Sequence, residues 1–154
     1  MSSFTIIVDT REQKPWVFSE HATANHKLDT GDYAIEGLEH ILCIERKKGI
    51  AELANNMREK RFKDVIERMS KYKHAYILLE CEYSQMMNYP IGSDVPPKLW
   101  SKIKIPPLFI LKFITELSVD YGINVIFCGN ASWAESTALS IMKKIHKIYG
   151  NDKK

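Results

Sequence analysis

The chain has 154 residues, 45% apolar and 27% charged, the profile of an ordinary soluble globule with one domain large enough to bury a core. Its net charge of +3 permits a nucleic-acid partner without demanding one. No apolar run approaches a membrane span and the N-terminus lacks a charged-then-apolar signal, so the expectation is an intracellular protein away from membranes, cytoplasmic or, in a eukaryote, nuclear.

The first predicted element is the β-branched run Phe4-Thr5-Ile6-Ile7-Val8, which ends in Asp9-Thr10-Arg11-Glu12. Gln13 to Asp29 reads as a polar, irregular segment that wraps over a sheet edge, with Trp16 and Phe18 as packing residues. Next come two apolar runs, Asp32-Tyr33-Ala34-Ile35 and Ile41-Leu42-Cys43-Ile44, separated by a break containing Gly37, which predicts a β-hairpin with residues 37 to 40 as its loop. In that register Glu36 pairs with Ile41, and Asp32 falls opposite Glu45.

Strand side chains alternate faces, so Cys43, Glu45 and Lys47 point one way and Leu42, Ile44 and Arg46 the other. Directly paired residues sit about 5 Å apart, and two carboxylates at that distance repel by roughly 3 kcal/mol at an effective dielectric of about 20. A bare Glu-x-Lys is most often a solvated surface pair. Here the unbroken run Ile41 to Ile44 marks a strand covered on both faces, and charges beside such a strand need a shared proton or a bound cation. A hard divalent ion suits carboxylates, waters and phosphate oxygens.

Beyond the hairpin the period becomes helical. Ile50, Leu53, Ala54 and Met57 share one stripe and Phe62, Val65, Ile66 and Met69 another, with a break expected around Arg58-Glu59-Lys60-Arg61. The basic face of these pieces, with Arg58, Lys60 and Arg61, is either solvated or tracks a nucleic-acid backbone. Tyr76 to Cys81 reads as a buried strand and Ser84 to Asn88 as a short helix. Tyr89 to Pro107 is loop-like; its Lys98, Lys102 and Lys104, interleaved with Trp100, either contact a nucleic-acid strand or belong to a cap on the core.

Leu108 to Tyr121 is apolar nearly all round and ends at Gly122 in a C-cap position, so it reads as a helix buried on more than one side. Ile123 to Cys128 is the last strand. Ser132-Trp133-Ala134-Glu135 fits a capping box, opening a helix whose apolar positions include Ala138, Ile141, Met142, Ile145 and Ile148. Strands alternating with helices predict an α/β fold, a central mixed sheet flanked by helices, in one domain over residues 1–149 with 150–154 as a frayed tail. Cys43, Cys81 and Cys128 are widely spaced, odd in number and set in apolar runs. They read as buried free thiols, with no structural zinc. A sequon at Asn130 is incidental without secretion.

Val8-Asp9-Thr10-Arg11-Glu12, Gly31-Asp32-Tyr33 and Ile44-Glu45-Arg46-Lys47 together resemble the signature of the XPF-type nuclease domain, a branch of the PD-(D/E)xK, restriction-endonuclease-like superfamily. The resemblance covers about residues 4 to 148. It implies a restriction-endonuclease-like core and metal-dependent hydrolysis of DNA phosphodiesters in branched, flap or nicked DNA, in repair, recombination or replication.

Under that resemblance Asp32 and Glu45 hold Mg2+ or Mn2+, with the carbonyl of Arg46 as a further oxygen ligand and Asp9 ligating directly or through water. Lys47 orients the attacking water and helps to lower its pKa. Arg11, Glu12 and Arg46 stand behind the ligands or against phosphate, Glu12 holding Arg11. The family Asp four residues after the motif Lys is missing here: Ala51 stands in its place and Glu52 follows it. No helix-hairpin-helix or helicase motif is present, so the chain resembles the stand-alone members. The alternative is an inactive XPF-like scaffold that positions a partner, against which stands the joint presence of Asp9, Asp32, Glu45 and Lys47. XPF-type domains pair through C-terminal helices, so a homodimer is expected unless the final helix covers the apolar surplus of residues 108–121.

Overall fold

Residues 3–150 are described in the computed structural model of the chain. The run Thr5–Val8 forms strand β1, Ala22–Asn25 forms β2, and the hairpin is built from β3 (Tyr33–Ile35) and β4 (Leu42–Lys47). After it come helices α1 (Ile50–Asn56) and α2 (Lys60–Met69), strand β5 (His74–Leu79) and a short α3 (Tyr83–Met87). A 3-10 turn at Pro97–Lys102, α4 (Pro107–Tyr121), β6 (Ile123–Phe127) and α5 (Ala131–Tyr149) complete the chain. The strands make one mixed sheet in the order β2-β1-β3-β4-β5-β6. β1 pairs antiparallel with β3 and β3 with β4, β2 lies parallel to β1, and β4, β5 and β6 are parallel to one another.

Alternation along β4 divides the core. Cys43 joins Ile77 and Leu79 of β5 under α1, α2 and α4, while Leu42, Ile44 and Leu78 pack against Ala134, Ala138, Met142 and Ile145 of α5 on the other face. A strand buried on both sides contributes about 1.5–3 kcal/mol for each large aliphatic side chain removed from water. That is why the apolar run of β4 lies inside the sheet.

The hairpin register is the expected one, with Tyr33 opposite Ile44. At Asp32 the ladder departs from regularity: the Asp32 amide donates to the Ile44 carbonyl at 2.7 Å, and the Asp32 carboxylate accepts the Arg46 amide at 2.7 Å. Gly31 makes this possible, with φ +91 and a backbone so close to β4 that a Cβ would stand 2.7 Å from Cys43 Sγ. The helical break falls at residues 57–59, between α1 and α2, and Gly122 ends α4 in the left-handed conformation at φ 67.

Several expectations are corrected. The segment Gln13 to Asp29 is not wholly irregular, since Ala22–Asn25 adds a parallel edge strand, although Trp16 and Phe18 are buried as packing residues. β5 begins two residues earlier than expected and ends at Leu79. α5 is capped by Asn130, whose side chain accepts the Trp133 amide at 2.8 Å; Glu135 instead accepts the Phe18 amide at 3.0 Å, so no capping box forms at Ser132. Cys43 and Cys81 are buried free thiols, whereas Cys128 is half-buried. α4 has only Ile110 and Leu117 fully buried, and Leu108 and Val119 are 77% and 76% exposed. α5 packs across the opposite face of the sheet and leaves that surface open. No helix among the described residues is long and apolar enough to cross a membrane. Of the expected tail, residues 150–154, Gly150 caps the end of α5 and residues 151–154 lie outside the described residues.

Candidate functional site

The carboxyl ends of β1, β4 and β5 and the start of β3 meet at one end of the sheet. Asp9 follows β1, and its amide donates to the Asp32 carbonyl at 2.9 Å, which sets the two motifs side by side. Two adjoining cavities open there, one of 760 Å³ and one of 270 Å³, and both are lined by Arg11, Asp32, Glu45 and Lys47. The sequence motifs therefore converge on a single cleft.

Burial, and then the negative charge of Glu45, push the Asp32 carboxyl up to about 8, against the lowering effect of the Arg46 amide. Burial also raises the Glu45 carboxyl, opposed by Lys47. Lys47 is 6% exposed; its Nζ stands 3.3 Å from Glu45 Oε2 and 3.8 Å from Glu52 Oε2, and 4.6 Å over the Phe62 ring. Glu52, in the first turn of α1, also accepts the Lys48 amide at 2.8 Å. The one-residue displacement from Ala51 thus still brings a carboxylate to Lys47.

Two carboxyls driven toward protonation are two negative charges without enough compensation, and either a proton or a cation relieves them. Asp32 commits one oxygen to the Arg46 amide and Glu45 one to Lys47, which leaves an oxygen on each. Among the described residues, no group of three or more His, Cys, Asp or Glu side chains converges as a metal cluster. A two-carboxylate donor set suits a hard ion that keeps its waters and takes phosphate oxygens, and does not suit zinc.

The remaining motif residues are partnered differently from the expectation. Asp9, not Glu12, holds Arg11: its carboxylate accepts Arg11 Nε at 2.7 Å and Nη2 at 3.1 Å, as well as the Leu28 amide at 2.8 Å. Burial works to raise the Asp9 carboxyl, but these hydrogen bonds prevail and lower it. With its oxygens so engaged, Asp9 fits an anchor for Arg11 better than a ligand, and the Arg11 side chain is 62% exposed into the cleft.

Glu12 accepts the Tyr33 hydroxyl at 2.6 Å and Arg46 Nη1 at 3.0 Å. Arg46 points to the opposite face of β4 from Glu45 and Lys47, over Trp16 and against Glu80, and with Glu12 and Glu80 it lines the larger cavity.

Of the six basic residues singled out for nucleic acid, Arg61 lines the smaller cavity; Arg58, Lys60, Lys98, Lys102 and Lys104 are exposed but line neither. Arg68 also lines the smaller one, donating to Thr30 Oγ1 at 3.0 Å. Sequence reasoning missed Glu80, which follows the apolar run of β5 as Glu45 follows that of β4. The same charge-beside-a-buried-strand signal would have found it.

The family model of the ERCC4 domain matches residues 8–139. No curated protein matches the chain. Among solved structures, XPF from Aeropyrum pernix aligns with a TM-score of 0.63 at 21% identity, covering 90% of this chain and 58% of that one. XPF from Aeropyrum pernix in complex with DNA aligns with a TM-score of 0.64 at 19% identity, covering 97% of this chain and 66% of that one. At these identities the likeness is one of fold, and the chain spans less than two thirds of either protein's length.

Proposed function

On the premise that this chain belongs to the ERCC4 domain family, we propose that it is a divalent-metal-dependent DNA endonuclease that hydrolyses phosphodiester bonds in branched, flap or nicked DNA. The observation that carries this reading is the convergence of Asp32, Glu45 and Lys47 on one cleft, with both carboxyls raised. The DNA bound in one of the two similar structures supports the choice of substrate.

Asp32 and Glu45 would hold Mg2+ or Mn2+. Such an ion neutralises charge on a phosphate and acidifies a bound water. Lys47 is nearly buried, so its ammonium acts in a low-dielectric setting where it orients the attacking water and stabilises charge that develops on the phosphate. Glu45 and Glu52 hold that ammonium in place. Arg11, oriented by Asp9 and by the Leu28 carbonyl that accepts its Nη2 at 2.9 Å, turns Nη1 to a phosphate oxygen. The exposed outer face of α4, with Leu108, Phe109 and Val119, is the surface through which two copies would pair. A panel of labelled branched, nicked and linear DNAs and an RNA control, incubated with Mg2+, Mn2+ or EDTA, tests the reading. Metal-dependent cutting of DNA is expected, and no cutting of any DNA with either ion would overturn it.

A further inference from the structure

Glu80 lies just past β5 with its side chain 7% exposed, and no motif of the sequence includes it. Its Oε2 accepts Arg46 Nε at 2.7 Å and Trp16 Nε1 at 2.7 Å, and its Oε1 accepts Arg46 Nη2 at 3.4 Å. Its amide donates to the Lys47 carbonyl at 2.9 Å. Arg46 is held from its other edge by Glu12 and by the Lys14 carbonyl at 2.7 Å, and its guanidinium lies 4.7 Å over the Trp16 ring.

Neighbouring side chains on a strand point to opposite faces, so the clamp on Arg46 acts from the other side of β4 than Glu45 and Lys47, in the wall of the same larger cavity. The Arg46 amide, on the same residue, is the donor to Asp32 Oδ2 at 2.7 Å. One residue thereby joins the clamp to the Asp32 carboxylate. A buried ion group of this kind adds little stability over apolar packing of the same volume. What it does supply is a fixed backbone between Glu45 and Lys47.

We propose that Glu80 is a positioning residue for the cation site, setting Asp32, Glu45 and Lys47 through Arg46 and the Lys47 carbonyl. The inference rests on the reading of Asp32 and Glu45 as cation-holding groups.

The test is Mn2+ affinity by calorimetry on the full chain, at a temperature where circular dichroism shows each variant folded. Glu80→Gln is expected to weaken Mn2+ binding about 10- to 100-fold, as loss of a partner behind the ligands does. Arg46→Lys, which keeps the charge and loses the fork, should do the same. The double variant should be no worse than the weaker-binding single, since both act along one path. Wild-type affinity in Glu80→Gln, or losses that multiply in the double variant, would overturn the inference while leaving the cation site standing. If Glu80→Gln does not fold, Trp16→Phe removes one donor to Glu80 and keeps an aromatic ring at that position; a loss of about threefold or more is expected, and unchanged affinity overturns the inference. A wild type that binds no Mn2+ overturns the cation reading, and this inference with it.

Discussion

Burial holds Asp32 and Glu45 apart from ordinary carboxylates, with the charge of Glu45 adding to the effect on Asp32, and that has consequences with and without metal. Asp32→Ala, Glu45→Ala and Lys47→Ala should each reduce cleavage at least about 100-fold, the lower range for loss of a charge-stabilising or acid-base group. Each variant should still fold, and wild-type rates in any of them would remove that residue from the site. Without metal, Asp32 titrates at about 8 in the folded chain against an ordinary value of 3.8. Between those values the folded protein keeps a proton that the unfolded chain has released. Its contribution to stability is therefore complete below about pH 4 and is lost as pH rises through about 8. The melting temperature in EDTA should fall across that window, and Asp32→Asn should flatten the fall. An equal slope in wild type and variant would show that the charge is compensated elsewhere.

At the level of elements, the hairpin is the unit that makes the site. β4 carries Glu45 and Lys47 on one face, the loop at Gly37 returns the chain, and Gly31 lets Asp32 leave the ladder and reach the Arg46 amide. Gly31→Ala meets two obstacles, a left-handed φ and a Cβ 2.7 Å from Cys43 Sγ. Strain and overpacking together should cost roughly 2–4 kcal/mol. Urea denaturation measures this, and a loss under about 1 kcal/mol would mean that β4 yields easily at Cys43. The break between α1 and α2 has a role in the same unit. It lets α1 place Glu52 by Lys47 while α2 sets the Phe62 ring beneath the Lys47 ammonium.

For the whole molecule, the open question posed by α4 becomes a matter of assembly. Its inner side closes the core over β5 and β6, and its outer side shows Leu108, Phe109 and Val119 to solvent, with α5 on the opposite face of the sheet. Exposed apolar surface on a helix marks an interaction site when no other part of the fold covers it. Light scattering should therefore give a mass above the 17.8 kDa of one chain, rising with concentration, and Phe109→Glu should return it to the single-chain value. A single-chain mass at every micromolar concentration would rule out self-pairing through this face.

The sequence by itself determined what depends on near neighbours. The period of two along residues 42–47 assigned Glu45 and Lys47 to one face and Arg46 to the other, and the turn at Gly37 set Tyr33 against Ile44. The helical stripes, the break before Lys60 and the glycine stop at Gly122 were legible for the same reason. β2 was not, because an exposed edge strand of sequence ATAN has no apolar face to show a period. Nor was the pairing of charges: Glu12 with Arg46 and Trp16 with Glu80 are contacts across 34 and 64 residues. The sequence offers several acids as partners for Arg11 and Arg46, and only the placement of strands in space selects among them. The side of the sheet on which α5 lies was decided in the same way, by the crossover after β6. An apolar stripe states that a helix must be covered, and only tertiary packing chooses which surface covers it.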